Sequence, residues 1–78
     1  MRTVWGVCHP TNRSAAAVLV ALGFEPAGVM PYDGHAALHY RIGLNAWREI
    51  RDIPRAIRLR RALRRSAEGD AHVLEAAR

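Results

Sequence analysis

Residues 3–8 (TVWGVC) form a short apolar run rich in Val and Trp, which predicts a buried strand. Pro10, Thr11 and Asn12 then signal a helix start, with Thr11 or Asn12 as the N-cap. Ala15, Val18, Leu19 and Leu22 follow at i, i+3, i+4 and i+7, so one helical face is apolar. Gly23 stands where a left-handed residue ends a helix, and Phe24 just beyond it is placed to fold back on Leu19. A second extended run begins at Pro26 and reaches Met30, and Asp33-Gly34 is a turn signal. Leu38, Tyr40 and Ile42 then alternate with Ala37, His39 and Arg41, so a β-hairpin is expected with its loop near residues 31–35. From Asn45 the period becomes helical, with Trp47, Ile50, Ile53 and Ile57 on one face. Pro54 interrupts that pattern and predicts two helices or a kink. After Gly69 the tail is acidic and weakly apolar, and reads as a frayed last helix.

Composition narrows the class. Half of the 78 residues are hydrophobic, which argues for a globular chain. So short a chain forms one small domain at most, with a marginal core. Cys8 is the single cysteine, so no internal disulfide is available and a reducing, cytoplasmic setting is expected. No apolar run is long enough for a membrane span, and residues 3–8 are too short for a signal-peptide core.

The net charge of +5 is unevenly placed. Residues 48–65 hold eight arginines against Glu49 and Asp52, whereas residues 66–78 hold Arg78 against Glu68, Asp70 and Glu75. All twelve basic residues are Arg, a pattern that compositional bias explains more simply than guanidinium chemistry. The segment from Arg48 to Arg65 offers three readings: a solvated helix face, a nucleic-acid contact, or a helix lying on an anionic membrane. No aromatic residue interleaves with these arginines, and no helix-turn-helix or zinc pattern accompanies them.

The strand, the turn to Asn12, the eleven-residue step to Gly23-Phe24 and the following hairpin resemble the GNAT superfamily of N-acetyltransferases. The likeness is to the ribosomal-protein-type branch, and Asn12, Ser14, Leu22, Gly23 and Phe24 carry it. The hairpin at residues 28–44 and Trp47 are similar to that branch's ending, and the match spans residues 3–47. In the family the sheet splays between its fourth and fifth strands, and the acyl-CoA arm lies in the gap. The helix after the fifth strand starts beside that arm. The resemblance therefore implies acetyl-CoA as co-substrate, an amine as acceptor, and Asn12 and Ser14 as cofactor contacts; an Asn there can donate and accept hydrogen bonds with pantetheine amides.

Two departures are legible. Many members place a thiolate-protonating Tyr seven residues after the Asn, where this chain has Leu19. The family's pyrophosphate loop, which holds phosphates on backbone N–H groups, does not occur in these residues. The expected fold class is thus α+β: the C-terminal part of a GNAT-like fold, followed by an Arg-rich helical extension. Residues 1–44 form the first, residues 45–68 the second, and residues 69–78 an acidic tail. As a fragment it is expected to be inactive, with no catalytic residue named. The alternative is a small basic module that binds nucleic acid or another protein through residues 48–65. A strand without its neighbour exposes unpaired backbone groups, so self-association through that edge is also expected.

For the remaining candidates the bland readings are core or solvated positions. Cys8 reads as a strand-end core residue with no base fixed near it. His9, His35, His39 and His72 do not make a metal-ligand spacing, since the four-residue step from His35 to His39 falls in a hairpin. Tyr32 in the hairpin loop is a candidate substrate contact.

Overall fold

The computed structural model describes residues 2–67 and 71–74. Its first strand, β1 (Thr3–Cys8), buries Val4, Gly6 and Cys8 on one face and turns Thr3, Trp5 and Val7 to the other. Helix α1 (Arg13–Ala21) follows, with Ala15 and Leu19 buried. Its end is set by chain chemistry. Gly23 adopts φ 101°, its N–H donates to the Val20 carbonyl at 3.0 Å, and the Phe24 N–H donates to the Leu19 carbonyl at 3.1 Å. That bond pair is a Schellman ending, and it returns Phe24 to the core as expected.

Strands β2 (Glu25–Tyr32) and β3 (His35–Gly43) form the expected hairpin. The turn is shorter than the sequence suggests, because β2 continues through Pro31 to Tyr32 and only Asp33 and Gly34 cross over. Both turn residues have positive φ, 52° and 80°, the pairing that a two-residue hairpin turn requires. Pro26 and Pro31 are tolerated because β2 is an edge strand, and the ladder shifts register between Pro26 and Gly28.

Pro54 divides the downstream helical pattern, giving α2 (Leu44–Ile50) and α3 (Pro54–Ala67). Proline is well suited to a first helical position, since its missing N–H has no partner there in any case. The break also changes the apolar face. Trp47 is fully buried, but Ile53 is 48% exposed, and α3 packs through Ala56, Leu59 and Leu63 instead. A period counted through a proline does not survive it.

The tail is where expectation and structure part. Ala71–Leu74 is not helical; it forms β4, antiparallel to β1, with Gly6 opposite Val73 and Val7 opposite His72. The alternation of Ala71 and Val73 with His72 and Leu74 suits one buried and one outward face, and nearby acidic residues masked it. The rest of the acidic tail lies outside the described residues. The sheet order is β2-β3-β1-β4, so β1 is internal. The free edge on which self-association was expected is therefore closed over Trp5–Cys8.

The core holds Val4, Leu19, Phe24, Tyr40, Trp47 and Leu63, drawn from strands and all three helices. Phe24 meets Trp47 edge to face at 5.4 Å, and the Arg60 guanidinium lies 5.6 Å from the centre of the Trp47 ring. Arg60 also donates from Nη1 to the Arg51 carbonyl at 2.9 Å. Arg55 donates to the Ala21 carbonyl at 3.1 Å, which places a cation on the C-terminal end of α1.

The tightest packing lies between α1 and β1. A methyl group at Gly6 would stand 2.6 Å from Leu19 Cδ2 and 3.3 Å from Phe24 Cε2. Gly6→Ala should destabilise the fold by about 1–3 kcal/mol through overpacking. Leu19→Ala should cost about 2–5 kcal/mol through the cavity it leaves. The double variant should cost clearly less than the two singles together, because each change fills or relieves the other. Urea unfolding of the four proteins checks this, and simple additivity would contradict the contact.

Candidate functional site

The chain leaves β1 at Cys8 and reverses through residues 9–12 before α1 begins. The turn is held locally. The Asn12 N–H donates to the His9 carbonyl at 2.9 Å, and the Thr11 N–H donates to His9 Nδ1 at 3.2 Å. His9 Nδ1 also lies 2.8 Å from the Thr11 hydroxyl. An Nδ1 that accepts leaves the proton of the neutral ring on Nε2.

Asn12 is the N-cap of α1: its Oδ1 accepts from the Ala15 N–H at 3.0 Å. Its main-chain carbonyl accepts from the Ala16 N–H at 3.1 Å. Of the two cap candidates, the structure selects Asn12. Ser14 lies in the first turn of the helix and is exposed. The two residues thus share one helix start, but only Asn12 is half-buried and engaged in holding it. Leu19, seven residues after Asn12, is fully buried against Gly6 and is a core position.

The other sheet face carries an arrangement that sequence reasoning missed. Trp5, Val7, His39, His72 and Leu74 share it through the β3-β1-β4 register. Val7 is only 1% exposed, although it lies outside the main core cluster. His39 and His72 flank it in the register, and the aromatic rings of this face touch one another. Trp5 meets His39 edge-on at 6.1 Å, Tyr32 meets His39 at 6.3 Å, and Tyr32 meets His72 at 5.9 Å. The His39 Nδ1–H donates to the Ala37 carbonyl at 3.0 Å, since a carbonyl can only accept, and the contact places the proton on Nδ1. The cluster depends on β4 for His72, and β4 was read as tail. The alternation within residues 71–74 was the signal that could have revealed it.

Where this face meets the β1 turn, His9, Tyr32, His35 and His72 line a cleft of about 140 Å³. Tyr32, the candidate substrate contact, therefore lies against histidines. Among the described residues no three His, Cys, Asp or Glu side chains are grouped to hold a metal ion. Cys8 is a buried thiol outside any disulfide. On the helix side, burial, and to a lesser extent repulsion from Cys8, raises the Tyr40 phenol above its ordinary value of 10.0. Tyr40 is consequently a neutral packing group at physiological pH.

No protein-family model, curated protein or solved structure matches this chain. Among the described residues no helix is long and apolar enough to cross a membrane.

The two predicted contacts separate by substitution. Asn12→Ala should destabilise the fold by about 1 kcal/mol, whereas Asn12→Asp, whose carboxylate also accepts from the Ala15 N–H, should retain most of the parent stability. Ser14→Ala should stay within about 0.5 kcal/mol of the parent. Urea midpoints at matched slope check both, and an unchanged Asn12→Ala protein would remove the cap from the account.

Proposed function

We propose that these residues are a GNAT-type acyltransferase unit that supplies the arm-side strand and helix of the fold. In the family this fold transfers an acetyl group from acetyl-CoA to an amine. The observation that carries the reading is the Asn12 cap. A half-buried Asn begins a helix directly beyond the end of a strand, and that helix ends in Leu22, Gly23 and Phe24. An antiparallel hairpin follows, and Trp47 packs on Phe24. These are the parts, in the chain order, on which the resemblance rests.

On the same reading, catalysis is not expected from these 78 residues alone. They contain no Gly-rich pyrophosphate loop, and Leu19 has no proton to give to a departing thiolate. The β1 edge that would border the acyl-CoA arm is hydrogen-bonded to β4 over Trp5–Cys8. The arm and β4 would compete for one edge, so the reading gives β4 the role of a plug. Acetyl-CoA would meet Asn12 and the neighbouring Ser14 only once that edge opened. The unit would work in a reducing, cytoplasmic setting in which Cys8 remains a thiol.

Calorimetry with acetyl-CoA should show no saturable binding to the parent chain up to about 1 mM. His72→Pro removes a ladder donor from β4, opposite Val7. In that variant, pantetheine should shift the amide resonances of residues 8–16, and Asn12→Ala should weaken the effect. Tight acetyl-CoA binding by the parent would contradict the plug. Shifts that are absent from residues 8–16 in the His72→Pro protein would contradict the GNAT reading itself.

A further inference from the structure

Helix α3 carries six arginines, at positions 55, 58, 60, 61, 64 and 65, and no carboxylate. The structure divides them into two groups. Arg55 is tied to the Ala21 carbonyl, while Arg60 is tied to the Arg51 carbonyl and the Trp47 ring. Both serve the fold. Arg58, Arg61, Arg64 and Arg65 are exposed, and the ion pair recorded among the described residues, Arg51 with Asp52, lies in the link before α3 and involves none of the four. Like charges three and four residues apart repel one another, as Arg58 does Arg61, and Arg61 does Arg64 and Arg65. A polyanion laid along this face would turn that repulsion into attraction.

We propose that this exposed face of α3 binds the phosphodiester backbone of nucleic acid without regard to sequence. The inference is independent of the acyltransferase reading. Charge complementarity carries it, and geometry narrows the partner. From position 58 to position 65 the helix rises about 10 Å. A nucleic-acid duplex presents about one negative charge per 1.7 Å of axis, so several phosphates lie within reach of the four guanidinium groups. The guanidinium fork also matches phosphate oxygens two at a time. A bilayer is a poorer fit. A helix lying in a membrane needs its apolar side free, but Ala56, Leu59 and Leu63 are already used against the core. The surface supplies no stacking platform: the buried Trp47 ring lies beneath Arg60 and away from solvent.

The test is fluorescence anisotropy of a short labelled duplex titrated with the full chain across a salt series. Binding should weaken roughly a hundredfold between about 50 mM and 200 mM salt, the change expected for three or four phosphate contacts. Replacing Arg58, Arg61, Arg64 and Arg65 together with Gln should reduce affinity at least about tenfold and flatten the salt slope. Arg13→Gln, at an exposed position that starts α1, should leave both nearly unchanged. Circular dichroism reports whether the fourfold variant folds. If it does not, the Arg61→Gln, Arg65→Gln pair should lose about half of the slope. Three further arms distinguish the partner: unlabelled duplex should compete, whereas poly-glutamate at equal charge should compete poorly and phosphatidylserine vesicles should not bind the chain. No binding at low salt, an undiminished slope in the folded variants, equal competition by poly-glutamate, or vesicle binding without duplex binding would each overturn the proposal.

Discussion

The missing side chain at Gly6 governs how the two layers meet. Because Gly6 presents bare backbone, Leu19 descends onto β1 and is wholly excluded from solvent. Leu19 in turn supplies the carbonyl that receives the Phe24 N–H at the end of α1. That bond fixes where Phe24 enters the core, and Phe24 is the ring on which Trp47 packs. Trp47 then supports Arg60, so the close approach at one glycine propagates to the placement of α3. The chain of dependence runs from a side chain that is absent to a helix more than thirty positions downstream.

Much of this was legible from residue pattern because its causes are local. A Pro-Thr-Asn start, a Leu-Gly-Phe stop and an Asp-Gly turn are short-range instructions, and each is followed in place. What pattern could not supply was pairing. Residues 71–74 alternate as a strand does, but so short a run does not name its partner, which the ladder groups of β1 supply. The face of α3 was misjudged for a related reason: the restart at Pro54 rotates the apolar register, so Ala56 and Leu63 replace Ile53 at the core. The Asn12 position of the candidate site was readable, but its surroundings were not. His9, Tyr32, His35 and His72 come together only through the hairpin and β4.

The two chemical surfaces of the molecule are separate. One lies at the end of β1, where Asn12 spends its side-chain oxygen on α1 and β4 occupies the neighbouring edge. The other is the arginine face of α3, whose buried side is committed to the core. Burial of apolar residues, not charge, joins them into one body. The rings of Trp5, Tyr32, His39 and His72 partly cover the second sheet face, one from each of the four strands.

The central claim is that β1 is an interior strand flanked by β3 and by the chain's own β4. Cross-strand nuclear Overhauser effects in a monomeric sample measure this directly. The account predicts backbone contacts from Val7 to both His39 and His72, and from Gly6 to both Tyr40 and Val73. Contacts from Val7 and Gly6 to β3 alone, with fast-exchanging amides along the opposite edge of β1, would contradict it.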